Sequence, residues 1–183
     1  EAQTFTGTDG NDTFIGSAGD DTFNGGTGDD ELYGHGGNDT FNITDKSGTF
    51  TDTIDGGAGT DTLDIDYTGV TGLVDFTVTY DSSTTITTLT DANGGIIKYK
   101  NIENLTIGDY TYTEDTSADT LWNSSEYILY MYDGGNTSSS FITDLSGFSA
   151  SNNLTVQGSA GNDTMNLNIN RWKLTGNLIL NMG

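Results

Sequence analysis

One large apolar residue recurs every nine positions near the start of the chain, with mostly polar residues and glycine between. Residues 7–42 divide into four consecutive units, GTDGNDTFI, GSAGDDTFN, GGTGDDELY and GHGGNDTFN. Gly at positions one and four of every unit indicates a turn. The apolar residue at position eight, between outward-facing neighbours, is typical of a short strand with one buried face. Each unit therefore predicts a six-residue turn and a three-residue strand, with these side chains inward: Phe14, Phe23, Leu32 and Phe41.

Each unit forms half a coil, so two consecutive units complete one coil and successive turns alternate between two edges. This arrangement stacks Asp12 on Asp30 at one edge and Asp21 on Asp39 at the other. Neighbouring strands lie about 4.8 Å apart, so stacked carboxylates repel one another unless a cation lies between them. The spacing therefore predicts two columns of carboxylates that require positive charge.

The repeat continues with one irregular and one regular unit. Residues 43–55, ITDKSGTFTDTID, contain Asp52 two positions before an apolar residue, and we interpret them as a unit whose turn is four residues longer. Residues 56–64, GGAGTDTLD, form a regular unit around Asp61. We call the turns that hold Asp12, Asp30 and Asp52 the first edge, and those that hold Asp21, Asp39 and Asp61 the second edge.

The pattern changes after residue 66. VDFTVTY alternates apolar and polar residues, TTITTLT is a second candidate strand and ANGG indicates a turn, which predicts a hairpin excursion near 74–100. A complete unit, GSAGNDTMN, returns at 158–166 and contains Asp163. We therefore predict two all-β domains, a roll at 1–66 and a segment at 67–183 in which the coil continues as a parallel β-solenoid. An antiparallel β-sandwich is the alternative for the second segment.

Charge adds a condition for folding. The net charge is −22, and 15 of the 27 acidic residues lie in residues 1–66, where Lys46 is the only Lys or Arg. Low hydrophobicity with high net charge is typical of disordered chains, unless the carboxylates are neutralised. The chain has no Cys, so the expected stabiliser is a bound metal ion rather than a disulfide. Such acidity disfavours nucleic acid or an anionic membrane as partner, and no apolar run reaches the ~20 residues of a membrane span.

The available metal ligands are oxygens. Ca²⁺ takes six to eight oxygen ligands in flexible geometry, whereas Mg²⁺ requires a stricter octahedron. The absence of Cys and the single His35 disfavour zinc or copper. At position five, Asp20 and Asp29 are expected to face solvent. The predicted carboxylate ligands of several calcium ions are the position-six residues Asp12, Asp21, Asp30, Asp39, Asp52, Asp61 and Asp163.

These units resemble the RTX (repeats-in-toxin), or hemolysin-type, calcium-binding nonapeptide G-G-x-G-x-D-x-U-x, in which U is a large apolar residue. The resemblance implies a right-handed parallel β-roll, with calcium ions between successive turns of each edge. It also implies a secreted bacterial protein, exported by type I secretion to the cell exterior or surface. The ligands it implies are the position-six aspartates and the turn carbonyls of Gly7, Asp9, Gly16, Ala18, Gly25, Thr27, Gly34, Gly36, Gly56 and Ala58.

The sequence contains no H-E-x-x-H and no G-x-S-x-G, and we predict that this stretch is not itself an enzyme. We predict a calcium-dependent structural module of a secreted or cell-surface protein, such as a surface-layer protein or large adhesin, that folds on binding calcium outside the cell. The alternative is a calcium-folded, carbohydrate-binding or chaperone-like appendage of an extracellular enzyme. Self-association and a cell-surface polysaccharide remain open as further partners. Because the chain begins at Glu1 without Met, we expect it to belong to a longer protein.

Overall fold

The computed structural model describes residues 1–81 and 83–115, and six further strands between residues 120 and 181. Side chains are described as far as residue 112, except at residues 74 and 82. Contacts between residues divide the chain into two compact units, Glu1–Thr111 and Tyr112–Gly183. The predicted boundary at residue 66 stays a prediction about where the sequence pattern changes.

The first unit begins with short strands that alternate between two sheets. One sheet pairs its strands in the order β1-β3-β5-β7 and the other in the order β2-β4-β6, and every pair is parallel. The predicted parallel β-roll is therefore confirmed. The strands are β1 (Thr4–Thr6), β2 (Thr13–Ile15), β3 (Thr22–Asn24), β4 (Glu31–Tyr33), β5 (Thr40–Ile43), β6 (Thr51–Asp55) and β7 (Thr62–Ile65).

The register follows the length of the repeat. Phe23 pairs with Phe41, which lies two repeat lengths later, as two regular units require. Leu32 pairs with Ile54 across a longer stretch, because the turn that joins β5 to β6 contributes four extra residues. The four extra residues therefore enlarge this turn without disturbing the alternation of strands between the two sheets.

The roll's core is a pair of thin columns of position-eight side chains. Phe23 stacks on Phe5 and on Phe41, with ring centroids 4.8 Å apart in both pairs. From β3 to β7 these side chains are buried, whereas Ile15, one position later in its unit, is 60% exposed. The longer strands β5 and β7 add Ile43 to the core, paired with Ile65. Each regular unit thus buries about one large apolar side chain.

A hairpin interrupts the roll, which then continues. A 3₁₀ turn at Leu73–Asp75 precedes β8 (Phe76–Asp81), β9 (Ile86–Asp91), β10 (Ile96–Lys100) and β11 (Asn104–Ile107). β9 pairs antiparallel with both β8 and β10. β10 then pairs in parallel with β6, and β11 pairs in parallel with β7. The excursion near 74–100 therefore ends with strands that extend both sheets of the roll.

The described strands of the second unit pair in both directions. β13 is antiparallel to β12 and to β14, whereas β14 with β16, β16 with β18 and β15 with β17 are parallel pairs. Among the described residues there is no α-helix and no helix long and apolar enough to cross a membrane. These strands are β12 (Tyr110–Asp115, whose first two residues precede this unit), β13 (Thr120–Asn123), β14 (Ile128–Met131), β15 (Ser140–Phe141), β16 (Leu154–Gln157), β17 (Thr164–Met165) and β18 (Leu178–Asn181).

Candidate metal centre

Position-six residues form a hydrogen-bonded ladder along the second edge. The N–H of Asp21 donates to Oδ1 of Asp39 (2.7 Å), and the N–H of Asp39 donates to Oδ1 of Asp61 (2.8 Å). At the start of the ladder, the N–H of Gln3 donates to Oδ1 of Asp21 (2.7 Å). At its end, the N–H of Asp61 donates to Oε2 of Glu103 (2.8 Å). The ladder holds each carboxylate beside the preceding turn of the same edge.

The first edge has the same ladder but a shorter stack. The N–H of Asp12 donates to Oδ1 of Asp30 (3.1 Å), and the N–H of Asp30 donates to Oδ1 of Asp52 (3.0 Å). On the next strand, the residue paired with Asp52 is Ile97, a buried apolar side chain. The carboxylate column of this edge therefore ends at Asp52.

Three buried carboxylates each keep one oxygen without a hydrogen-bond partner, namely Oδ2 of Asp39, Asp52 and Asp61. Burial raises the pKa of Asp39 above its ordinary value and raises the pKa of Asp61 to about 6. Burial also raises the pKa of Asp52 to about 6, although hydrogen bonding to Lys46 opposes the shift. A buried carboxylate oxygen without a partner is costly, and a bound cation would remove that cost. These oxygens therefore fit a metal site.

In the first two turns, the second oxygen of the position-six carboxylate is hydrogen-bonded within its own turn. The N–H and hydroxyl of Thr8 both donate to Oδ2 of Asp12 (2.7 and 3.0 Å). The N–H and hydroxyl of Ser17 donate likewise to Oδ2 of Asp21 (2.7 and 3.1 Å). The Ser17 N–H is the main cause of the lowered pKa of Asp21. In the later units the same position two has a left-handed backbone, at Gly26, His35 and Gly57 (φ 89°, 73° and 98°).

Close stacking of the turns explains the glycine at position four. Gly28 and Gly37 have φ of 94° and 112°, a conformation that side chains rarely adopt. A Cβ on Gly28 would also lie 2.7 Å from the carbonyl carbon of Gly10, in the preceding turn of the same edge. At position one, a Cβ on Gly56 would lie 2.6 Å from Oδ2 of Asp61. In the regular turns, each carboxylate thus lies against bare backbone of its own turn, where carbonyl oxygens are near.

Position five forms a second ladder that the sequence analysis missed. Oδ1 of Asp20 accepts the N–H of Asn38 (2.8 Å), and Oδ1 of Asp29 accepts the N–H of Thr51 (2.8 Å). Asn38 in turn accepts the N–H of Thr60 through Oδ1 (2.9 Å). Asp20 and Asp29 are exposed, as expected, but each also joins consecutive turns. The signal was present, because Asn or Asp occupies position five in all four tandem units.

Lys46 lies inside the first edge. Its ammonium is 2.8 Å from Oδ2 of Asp30 and 2.9 Å from Oδ1 of Asp52, and it donates to the carbonyl of Gly28 (2.9 Å). Its side chain is 1% exposed, and both carboxylates are fully buried. The sequence analysis treated Lys46 only as the one base among many acids.

Glu103 is a further residue that the sequence analysis missed. It extends the second-edge ladder by accepting the N–H of Asp61, and it lies in a turn of only three residues between β10 and β11. The carbonyl of nearby Lys100 accepts the N–H of Gly56, so this short turn stacks directly on the last regular one. A signal existed, since Glu103, Asn104 and Leu105 repeat the order acid, any residue, apolar.

The structure brings six of the predicted carboxylates together in two columns, three on each edge. Asp163 lies outside the described residues. Of the predicted carbonyls, Asp9 accepts the Thr27 hydroxyl (2.9 Å) and Ala58 accepts the Gly37 N–H (3.0 Å). Within the described part of the chain, no three acidic or imidazole side chains form a metal cluster. A cation here would therefore take its remaining ligands from the turn backbone, and that full ligand set stays a prediction.

Comparison with known proteins agrees with this chemistry. The family described as the RTX calcium-binding nonapeptide repeat (4 copies) matches residues 6–41, 47–64 and 155–168. The chain carries RTX repeats. Repeats of this family bind calcium, several ions to a repeat domain. The buried and unpartnered oxygens of Asp39 and Asp61 fit calcium as the missing partner.

One solved structure similar to this chain is the extracellular lipase LipA from Serratia marcescens. The two share 26% sequence identity with a TM-score of 0.50, over 94% of this chain and 26% of the lipase chain. This chain thus spans about a quarter of the lipase's length. No curated protein matches the sequence.

Proposed function

We propose that this chain is a calcium-folded structural module of an exported bacterial protein. The observation that carries the proposal is the stack of buried carboxylates on both edges, three of which retain an oxygen without a partner. Stacked carboxylates alone oppose folding by mutual repulsion and by the cost of burial. When bound, calcium supplies the positive charge that these columns lack.

The ligands we propose are the position-six aspartates of both edges, except at the step between Asp30 and Asp52, together with turn carbonyls. On the second edge, Asp21, Asp39 and Asp61 would hold cations at consecutive steps, with Oδ2 of Asp39 and Asp61 free to bind. On the first edge, Asp12 and Asp30 would hold another. The proposed carbonyls remain those at positions one and three of each turn. The returning unit at 158–166 would add Asp163.

The proposed setting is the bacterial exterior, reached by type I secretion. Free calcium is scarce in the cytosol, so a roll that needs calcium would stay unfolded during export and fold outside. Extracellular calcium modules have Kd values of about 10⁻⁴–10⁻³ M. The similarity to an extracellular lipase supports this setting.

Two parent proteins are candidates. The acidic, cysteine-free composition supports a surface-layer protein or large adhesin, in which the module would be structural. The likeness to about a quarter of an extracellular lipase supports the alternative, a calcium-folded appendage of an extracellular enzyme. A catalytic domain in the full-length gene would favour the appendage, and an anchoring or lattice-forming region would favour the scaffold.

The function is tested by titrating metal-free protein with calcium and, in parallel, with magnesium while β-structure is followed by circular dichroism. We expect a cooperative gain of β-structure near millimolar calcium and little gain with magnesium, whose strict octahedron these irregular backbone ligands do not match. An equal response to both ions, or none to calcium, would contradict the proposal.

A further inference from the structure

The first edge contains a cation that belongs to the protein itself. Lys46 lies in the enlarged turn between β5 and β6, which has four residues more than a regular turn. From there its side chain reaches inward until only 4% of the residue is exposed. Its ammonium also lies 5.2 Å from the centre of the Phe50 ring, which comes from the same turn. The extra residues thus provide both a base and an apolar cover for it.

The surroundings of the ammonium match those of a cation between two turns. It contacts one carboxylate oxygen of Asp30, one of Asp52 and the carbonyl oxygen of Gly28. Two of these ligands come from one turn and the third from the next turn of the same edge. Both carboxylates are fully buried, so an uncompensated pair would be costly here.

The step between Asp30 and Asp52 is also the last one in the carboxylate column of the first edge. Beyond Asp52 the paired residue is Ile97, so the column of position-six carboxylates ends at this step. The nearby carboxylate of Asp91 accepts hydrogen bonds from Tyr67, Asn93 and Gly95 instead. The enlarged turn lacks the glycines of positions one and four, which elsewhere bring bare backbone against the carboxylate. A regular calcium site is therefore missing part of its backbone at this step, while a lysine supplies charge.

We propose that the Lys46 ammonium takes the place of a calcium ion between Asp30 and Asp52, and so excludes calcium from this one step. The inference rests on the proposed function, since it assumes that the other steps bind calcium. Lys46 thereby sets the number of ions that the roll binds and closes the end of the first edge without metal.

The test is the number of calcium ions bound per chain, measured by calorimetric titration of metal-free protein. Lys46→Ala removes the ammonium and opens the space between the two carboxylates, so we expect this variant to bind one more ion than the wild type. Lys98→Ala is the matched control, because it removes the same charge from a partly exposed strand residue. The control should bind as many ions as the wild type.

Equal numbers of ions in Lys46→Ala and the wild type would overturn the inference. Since Lys46→Ala risks failing to fold, wild-type crystals grown in calcium provide a second test through anomalous scattering. We expect an ion between Asp21 and Asp39 and none between Asp30 and Asp52. An ion between Asp30 and Asp52, with Lys46 displaced, would overturn the inference alone. Absence of ions from both steps would overturn the proposed function, and this inference with it.

Discussion

Each position-six aspartate uses its two carboxylate oxygens differently. Oδ1 accepts the backbone N–H of the preceding turn on the same edge, which fixes the side chain in place. Oδ2 accepts hydrogen bonds from its own turn at Asp12 and Asp21 and is paired with Lys46 at Asp30. Oδ2 has no partner at Asp39, Asp52 and Asp61, although Oδ1 of Asp52 also contacts Lys46. The same residue type therefore performs a structural task with one oxygen and offers the other to a cation.

Calcium affinity should depend on position six more than on position five. Asp39→Asn keeps the shape of the side chain but removes the charge beside a buried, unpartnered oxygen, and we expect affinity to fall by about tenfold or more, since even outer-shell changes cost that much. Asp20→Asn is the control, because its exposed Oδ1 can still accept the Asn38 N–H and affinity should change by less than about twofold. Calorimetric titration of both variants measures this, and equal losses would contradict the assignment.

Acidification should partly replace calcium. Without metal, burial raises the pKa of Asp52 and of Asp61 to about 6, above the ordinary value of 3.8. The folded roll then binds more protons than the unfolded chain between these values, so its stability is greatest at low pH and is lost as pH rises through about 6. We expect calcium-free protein to gain β-structure, measured by circular dichroism, when the pH is lowered from 7 to 5. An unchanged or weaker signal at pH 5 would be inconsistent with these buried carboxylates.

At the scale of the element, each repeat unit consists of a turn that offers ligands to a cation and a short strand that buries little apolar surface. A three-residue strand contributes one inward side chain, and burying it stabilises the fold by roughly 1.5–3 kcal/mol. Ordering each residue costs about 1–2 kcal/mol in backbone entropy. Because a nine-residue unit cannot offset that cost with one side chain, its stability depends on hydrogen-bonded ladders, stacked neighbours and bound cations.

The aromatic column should be sensitive to truncation even with calcium present. Phe23→Ala removes the ring that stacks on both Phe5 and Phe41, and we expect it to lower the free energy of unfolding by about 3–5 kcal/mol. Ile15→Ala, at an exposed position of a neighbouring unit, should cost less than about 0.5 kcal/mol. Urea denaturation in saturating calcium compares the two. Similar costs for both would show that position eight is not the core.

The regular elements could be predicted because the same residue types recur every nine positions in the sequence. Strands, edges and the pairing of every second unit follow from Gly at positions one and four and Asp at position six. Lys46 could not be assigned in this way, because it lies in a turn that is longer than the repeat. Glu103 lies in a turn that is shorter than the repeat, and only the order acid, any residue, apolar marked it. Their roles depend on where an irregular turn places a side chain, which spacing alone does not determine.

At the scale of the whole molecule, charge decides when the roll can form. The chain carries a net charge of −22, and Lys46 alone offsets 15 acidic residues in residues 1–66.

The hairpin of β8 and β9 could be predicted from alternating polarity, since that signal is local. The mixed pairing of the second unit could not, because strands of two to six residues are too short for their pattern to identify their partners.

The central claim is that residues 1–66 fold only when calcium neutralises the two carboxylate columns. Hydrogen exchange of the amides in these residues, measured in excess chelator and again in millimolar calcium, tests it most directly. We predict little protection without calcium, and strong protection with it at the ladder amides of Asp21, Asp30 and Asp39. Ladder amides that remain protected in excess chelator would contradict the claim, because the roll would then be stable without the metal.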